Sequence, residues 1–132
     1  MPRPLPSLSS PLVERGQQLL TAYGASVTGL QMALLATPDG FEIACVINRG
    51  ELQGSRIAAM ASSMMAMASA VGREIKSTGC RRLTFEADGS SVVLHSVAAK
   101  LPCILCVVVN SDALLGKVFW LISEFVREME KD

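Results

Sequence analysis

Hydrophobic positions recur along this chain with two different periods, and each change of period marks an element. From Ser10 the spacing is helical: Pro11 suits the first helical position after a serine cap, and Leu12, Leu19, Leu20 and Tyr23 share one side until Gly24. Two apolar runs follow, "VTGLQMALLA" and "FEIACVIN", the second rich in β-branched residues. The "TPDG" between them supplies a fixed φ and then a positive one, so the pair reads as a hairpin with strands at 27–36 and 41–47. Helical spacing returns in "RIAAMASSMMAMASAVGREIK", from Arg56 to about Ser77, with Gly79 as its stop. "CRRLTFEA" and "SSVVLHSVA" repeat the hairpin grammar around Asp88-Gly89. "LPCILCVVV" is apolar throughout, the mark of a central strand covered on both faces. Asn110, Ser111 and Asp112 supply caps for a last helix, on which Leu114, Val118, Leu121, Ile122, Phe125, Val126 and Met129 form one apolar stripe. The predicted order is α-β-β-α-β-β-β-α, an α+β chain.

The central helix raises a question of cover, because no charged side chain stands between Arg56 and Arg73. At about 100° per residue, Ile57, Met60, Ala61, Met64, Met67, Ala68, Val71 and Ile75 share one face, which is predicted to be core. The reverse face carries Ser55, Ala59, Ser62, Ala66, Ala70 and Arg73, small residues that let a second helix approach closely. The plainer reading of the same run is that alanine is a good helix former. Geometry favours a partner: five strands span roughly 20–25 Å, and one helix about 10 Å wide leaves much of that face open. The first and last helices cover one side of the sheet, and the central helix is alone on the other. A second copy of the chain, bringing its own central helix, closes both gaps, so a homodimer with adjacent central helices is predicted.

Composition agrees. Of 132 residues, 50% are hydrophobic and 18% charged, which is rich in apolar surface for one domain of this size. The formal net charge is zero and the largest basic cluster is Arg81-Arg82, which argues against nucleic acid and against a polybasic membrane anchor. "MPRPLPSLSSP" lacks the apolar core of a secretory signal, and its prolines describe a flexible lead over residues 1–9 before a single domain at 10–132. No apolar run reaches the roughly 18 residues of a transmembrane span, so no membrane insertion is expected. A cytoplasmic location is expected, with Cys45, Cys80, Cys103 and Cys106 reduced.

Four stretches in this order, "GLQMALLATPDGFEIAC", "RIAAMASSMMAMASA", "LTFEADGSSVVL" and "VVVNSDALLGKVFWLISEFVRE", resemble the Roadblock family, the dynein-light-chain and bacterial GTPase-regulator group. The likeness covers residues 26–128. It implies a profilin- and longin-like fold: a five-stranded antiparallel sheet, one central helix on one face and two terminal helices on the other. It implies a homodimer in which the strand carrying Leu83, Thr84, Phe85, Glu86 and Ala87 pairs with its twin. The C-terminal helix is more similar to bacterial and archaeal members than to the short dynein subunits. Such members resemble proteins that bind a small Ras-like GTPase on the platform of paired central helices, some of them raising its hydrolysis rate. Carried over by position, that platform is Ala59, Ser62, Ser63, Ala66 and Ala70, with Met65 at its flank and Arg73 at its end. Met60, Met64, Met65 and Met67 depart from the leucines common in relatives; methionine suits a surface that adapts, and serves equally as filler.

Residues that carry chemistry elsewhere have structural readings here. Cys103 and Cys106 form a CxxC, but within a strand, residues three apart point to opposite faces, so the pair neither closes a redox disulfide nor shares a metal. His95 lies mid-strand without a nucleophile or carboxylate partner in its pattern. Asp39, Asp88 and Asp112 are accounted for by turns and caps. Neither GxGxxG nor GxxxxGK[ST] is present, so the chain is not itself the GTPase, and no enzyme activity or cofactor is expected. Arg49, Arg56 and Arg73 flank the central helix as solvated ends; as an arginine finger, one of them would reach a nucleotide-bound partner. A ligand held between sheet and helix is the alternative, and it requires a cavity.

Overall fold

The computed structural model describes residues 10–131, so the lead at 1–9 lies outside the described residues. Its elements are α1 (Ser10–Gly24), β1 (Leu30–Ala36), β2 (Glu42–Ile47), α2 (Gly54–Glu74), β3 (Arg82–Ala87), β4 (Ser90–Val97), β5 (Cys103–Asn110) and α3 (Leu115–Met129). The five strands form one sheet in the order β2-β1-β5-β4-β3, and every neighbouring pair is antiparallel. The unbroken apolar run of β5 takes the middle, where seven of its positions, Cys103 to Val109, are buried. β2 and β3 are left as the edges.

Two cores lie on opposite sides of the sheet. Leu20 of α1 and Val118, Ile122, Phe125, Val126 and Met129 of α3 pack with Ala33, Leu35, Leu105 and Val107 on one face. Ala58, Ala61 and Met65 of α2 pack with Met32, Leu34, Leu94, Ile104 and Cys106 on the other. Cys103 falls in the first core and Cys106 in the second, as the period of two demands. α2 lies over β1 and β2 and reaches β5 and β4, leaving β3 uncovered on that face.

Several element ends differ from expectation. Val27 and Thr28 belong to a turn closed by Gly29 at φ 83°, so β1 begins at Leu30 rather than at residue 27. α2 starts at Gly54, two residues before Arg56. Its end at Glu74 is closed not by Gly79 but by Lys76, a non-glycine at φ 69°: Ser77 N–H donates to the Gly72 carbonyl at 2.8 Å and Lys76 N–H to the Arg73 carbonyl at 3.0 Å. That pair of bonds is a complete Schellman closure, and it outweighs the cost of the left-handed backbone. α3 has no side-chain cap, because its N-cap is the apolar Leu114 and not one of the polar residues 110–112; the Asn110 side-chain oxygen instead accepts from Asp112 N–H at 2.9 Å and shapes the preceding turn. The two glycine turns stand as read, with Gly40 at φ 97° and Gly89 at φ 75°.

Candidate interaction surface

The sequence-based choice of the buried face of α2 holds only in part: Ala61 is buried and Ile57, Met64 and Ala68 are half-buried, but the rest of that face is not. Gly54, Ala58, Ala61, Met65 and Gly72 are the buried residues, at intervals of four, three, four and seven. Met60, Met67, Val71 and Ile75, expected in the core, are exposed. The wheel is turned because small residues let the helix axis sink toward the sheet. A Cβ on Gly54 would lie 2.7 Å from the Glu42 carboxylate, and one on Gly72 would lie 2.7 Å from the Gly79 carbonyl carbon. Small residues therefore do serve a close approach, but to this chain's own sheet and loop. Their spacing, together with the glycines at 54 and 72, was the signal available in the sequence.

Met65 is correspondingly removed from the outer platform, since it lies in the α2 core. Of the other platform positions, Ala59, Ser63, Ala66, Ala70 and Arg73 are exposed and Ser62 is half-buried. The outer half of α2 thus has small residues along its crest and an apolar stripe of Met60, Met67, Val71 and Ile75 down one flank. Met64, one turn from Met60 and Met67, is half-buried at the margin of the α2 core, as are Leu83 and Val92, and Val71 and Ile75 line the same open cleft as Arg81 and Arg82 at the start of β3.

β3 extends the same surface. Leu83 packs at the margin of the α2 core, and Phe85, two residues on, shares its face and is exposed. Arg82, Thr84, Glu86 and Ala87 are exposed as well. Arg82 and Thr84 lie on the α3 side, where the Arg82 guanidinium stacks 4.6 Å from the Phe119 ring centroid. Ser96 N–H donates to the Arg81 carbonyl at 2.9 Å, which fixes the alternation: the backbone groups of Arg82, Thr84 and Glu86 face away from β4. The Arg82 carbonyl accepts from the Cys80 thiol at 3.3 Å, and among the described residues no contact covers those of Thr84 and Glu86.

The groups with chemical potential are quiet. Burial, and secondarily Glu130, pushes the Cys103 thiol up to about 11. Burial pushes Cys106 to about 12, and Cys45 to about 11 with a smaller contribution from Glu42. Thiols so raised are protonated at neutral pH and poor nucleophiles. His95 is buried, its pKa lowered chiefly by desolvation, and its Nδ1 sits 2.8 Å from the Ser96 carbonyl. Among the described residues no group of three His, Cys, Asp or Glu side chains is placed to hold a metal. Arg49, one of the helix-flanking arginines, is engaged with Glu51. An open cleft of about 1330 Å³ at the start of β3 is lined by Arg81, Arg82, Arg127, Glu130 and Lys131. Its cations are largely committed: Arg82 to Phe119, Arg127 to Glu124 and Lys131 to Glu128. Between α1, α3 and the sheet lies an apolar cavity of about 30 Å³. No helix among the described residues is long and apolar enough to cross a membrane.

A family model described as the Roadblock/LC7 domain matches residues 17–108. No curated protein matches the chain in sequence. Among solved structures, the gliding protein MglB of Thermus thermophilus superposes with a TM-score of 0.82 at 17% identity, covering 98% of this chain and 96% of that one. A Roadblock/LC7 domain from Streptomyces avermitilis gives 0.74 at 18% identity over 85% of this chain and 92% of its own. Profilin IA of Acanthamoeba castellanii gives 0.56 at 14% identity over 85% and 94%. At these identities the likeness is one of fold.

Proposed function

The chain belongs to the Roadblock/LC7 domain family, and from that premise we propose a homodimeric regulatory or scaffold protein that binds a small Ras-like GTPase on the platform of two adjacent α2 helices. It has no catalytic site of its own in this reading. Where it speeds hydrolysis, it does so by holding the partner's switch residues in place.

The observation that carries the dimer is the continuity of the exposed stripe on α2 with the open edge of β3. Met60, Met67, Val71 and Ile75 are each 55% exposed or more, and covering each such side chain is worth about 1–2 kcal/mol. The β3 edge is also self-complementary. An antiparallel two-fold through Thr84 sets Arg82 against the partner's Glu86 on one face and Leu83 against the partner's Phe85 on the other. One strand thus meets its own copy with opposite charges paired and apolar groups paired. An enclosed ligand cavity between sheet and helix has less support: the apolar cavity beside α1 and α3 is only about 30 Å³, and the larger spaces, about 410 Å³ between α2 and the ends of β4 and β5 and about 1330 Å³ at the start of β3, are open clefts.

The test has two stages. Sedimentation equilibrium should give a dimer for the protein and a weakened one for Met67→Glu, which places a charge in the stripe. Titration calorimetry against the small Ras-like GTPases of the source cell, each loaded with a non-hydrolysable GTP analogue or with GDP, should then give binding that depends on the nucleotide. A monomeric wild-type protein would end the dimer reading, and a dimer that binds none of them in either state would leave a purely structural module.

A further inference from the structure

A five-stranded sheet has two edges, and two open edges are hazardous. If β2 were as free as β3, β2 of one copy would pair with β3 of the next, a head-to-tail contact that does not close and that grows into a filament. The two edges of this protein are not alike. On β2, Cys45 stands opposite Leu34 of β1 in a register where its own backbone groups point outward, into the space an added strand would fill. Both are occupied: Cys45 N–H donates to Gln17 Oε1 at 3.1 Å, and Gln17 Nε2 donates to the Cys45 carbonyl at 3.1 Å. One primary amide thus supplies the acceptor and the donor that a neighbouring strand's peptide groups would have offered.

The scaffold holds that amide in place. α1 packs along β2, and it comes close because Gly16 has no side chain: a Cβ there would lie 2.8 Å from Leu35 Cδ1. Leu20, one turn beyond Gly16, is buried in the core between α1 and the sheet. Gln17 Nε2 also lies 3.4 Å from the Thr21 hydroxyl, a long contact on the same helix. The outward groups of Ile47 lie next to the closed position and a β-bulge at Ile43 breaks the ladder on its other side, so an incoming strand would meet the Gln17 side chain in its path. β3 has nothing equivalent over Thr84 and Glu86.

We propose that Gln17 determines which sheet edge this protein uses for self-association: by closing β2 it confines pairing to β3 and stops assembly at two copies. The inference rests on the reading of β3 as the pairing edge, and the experiment separates the two. Sedimentation velocity over a range of concentrations is run on the wild type, on Gln17→Met, on Thr84→Pro and on the double variant. Gln17→Met keeps the bulk and removes the amide; Thr84→Pro removes an outward N–H on an edge strand, where proline is tolerated. The expected results are a wild-type dimer, a Gln17→Met species whose mass climbs past the dimer with concentration, and a Thr84→Pro monomer. The double variant should be limited to association through β2. A folded Gln17→Met that stays at the wild-type mass overturns the inference. A Thr84→Pro variant that remains dimeric overturns the β3 reading and leaves the Gln17 result standing on its own. Should Gln17→Met not fold, amide exchange in the wild type decides: the Cys45 N–H should exchange on the order of tenfold more slowly than the outward N–H of Ile47. Equal exchange at the two positions overturns the plug.

Discussion

Met65 and Met67 are two positions apart on α2, yet Met65 is 5% exposed and Met67 72% exposed. The first is locked against the sheet among Leu34, Leu94, Ile104 and Cys106, while the second stands on the exposed flank of α2. Met65→Ala should therefore lower folding stability by about 2–4 kcal/mol through a cavity in a packed core. Met67→Ser should change it by about 0.5 kcal/mol or less and instead weaken self-association. Urea unfolding at low protein concentration reads the first effect and sedimentation equilibrium the second; equal effects of the two substitutions on stability would contradict the face assigned to α2.

Gly72 gives a second test of how deeply α2 sits. Its missing side chain is where the Gly79 backbone passes, and backbone yields less readily than a flexible side chain. Gly72→Ala should cost about 1–3 kcal/mol. Gly50→Ala, in open space, should be close to neutral. Thermal unfolding of the two variants side by side measures the difference.

The charge register of β3 gives a swap experiment. Arg82→Glu sets glutamate against the partner's Glu86 in both symmetry-related pairs, and Glu86→Arg does the same with arginines. Each variant alone should dimerise about 1–2 kcal/mol more weakly, roughly 5- to 30-fold in dissociation constant. An equimolar mixture should recover near wild-type affinity as a heterodimer, because every cross-strand pair then carries opposite charges. No recovery on mixing would move the two-fold away from Thr84.

His95 predicts a pH dependence with a definite sign. Burial is the main cause of its depressed pKa, the neighbouring Arg82 adds to it, and the Ser96 carbonyl opposes it. The unfolded chain, near the ordinary 6.5, therefore binds more protons than the folded one as the medium is acidified. The contribution is whole above about pH 6.5 and is lost as pH falls through the lower folded-state value. Urea midpoints between pH 7.5 and 4.5 should fall more steeply for the wild type than for His95→Gln. Parallel profiles would mean that His95 is solvated as a cation in the folded protein.

Much of the architecture was legible because it is written in short-range pattern. Pro38-Asp39-Gly40 and Asp88-Gly89 require their turns, and the continuous "CILCVVV" requires the centre of a sheet. The opposite placement of Cys103 and Cys106 follows from the same period of two. The Roadblock/LC7 family was legible in the order of four stretches, none of them specific alone.

The orientation of α2 was not legible, because its sequence offers two apolar faces and no charge to choose between them. A wheel weighted by side-chain size places Met60, Met67 and Val71 inside, whereas the sheet selects Gly54, Ala58 and Gly72, since depth of approach wins over bulk. The Lys76 closure was hidden for a related reason: two backbone hydrogen bonds at the end of a packed helix compensate a φ that the residue type alone disfavours. The closing of β2 by Gln17 depends on residues 28 positions apart in the chain. The sequence by itself determined which segments become helix and strand and which of them are apolar enough to need covering. Only the tertiary structure decided which face of α2 is spent on the sheet and which edge is left open, because both depend on the distance between elements, and that distance is set by the smallest residues at each contact.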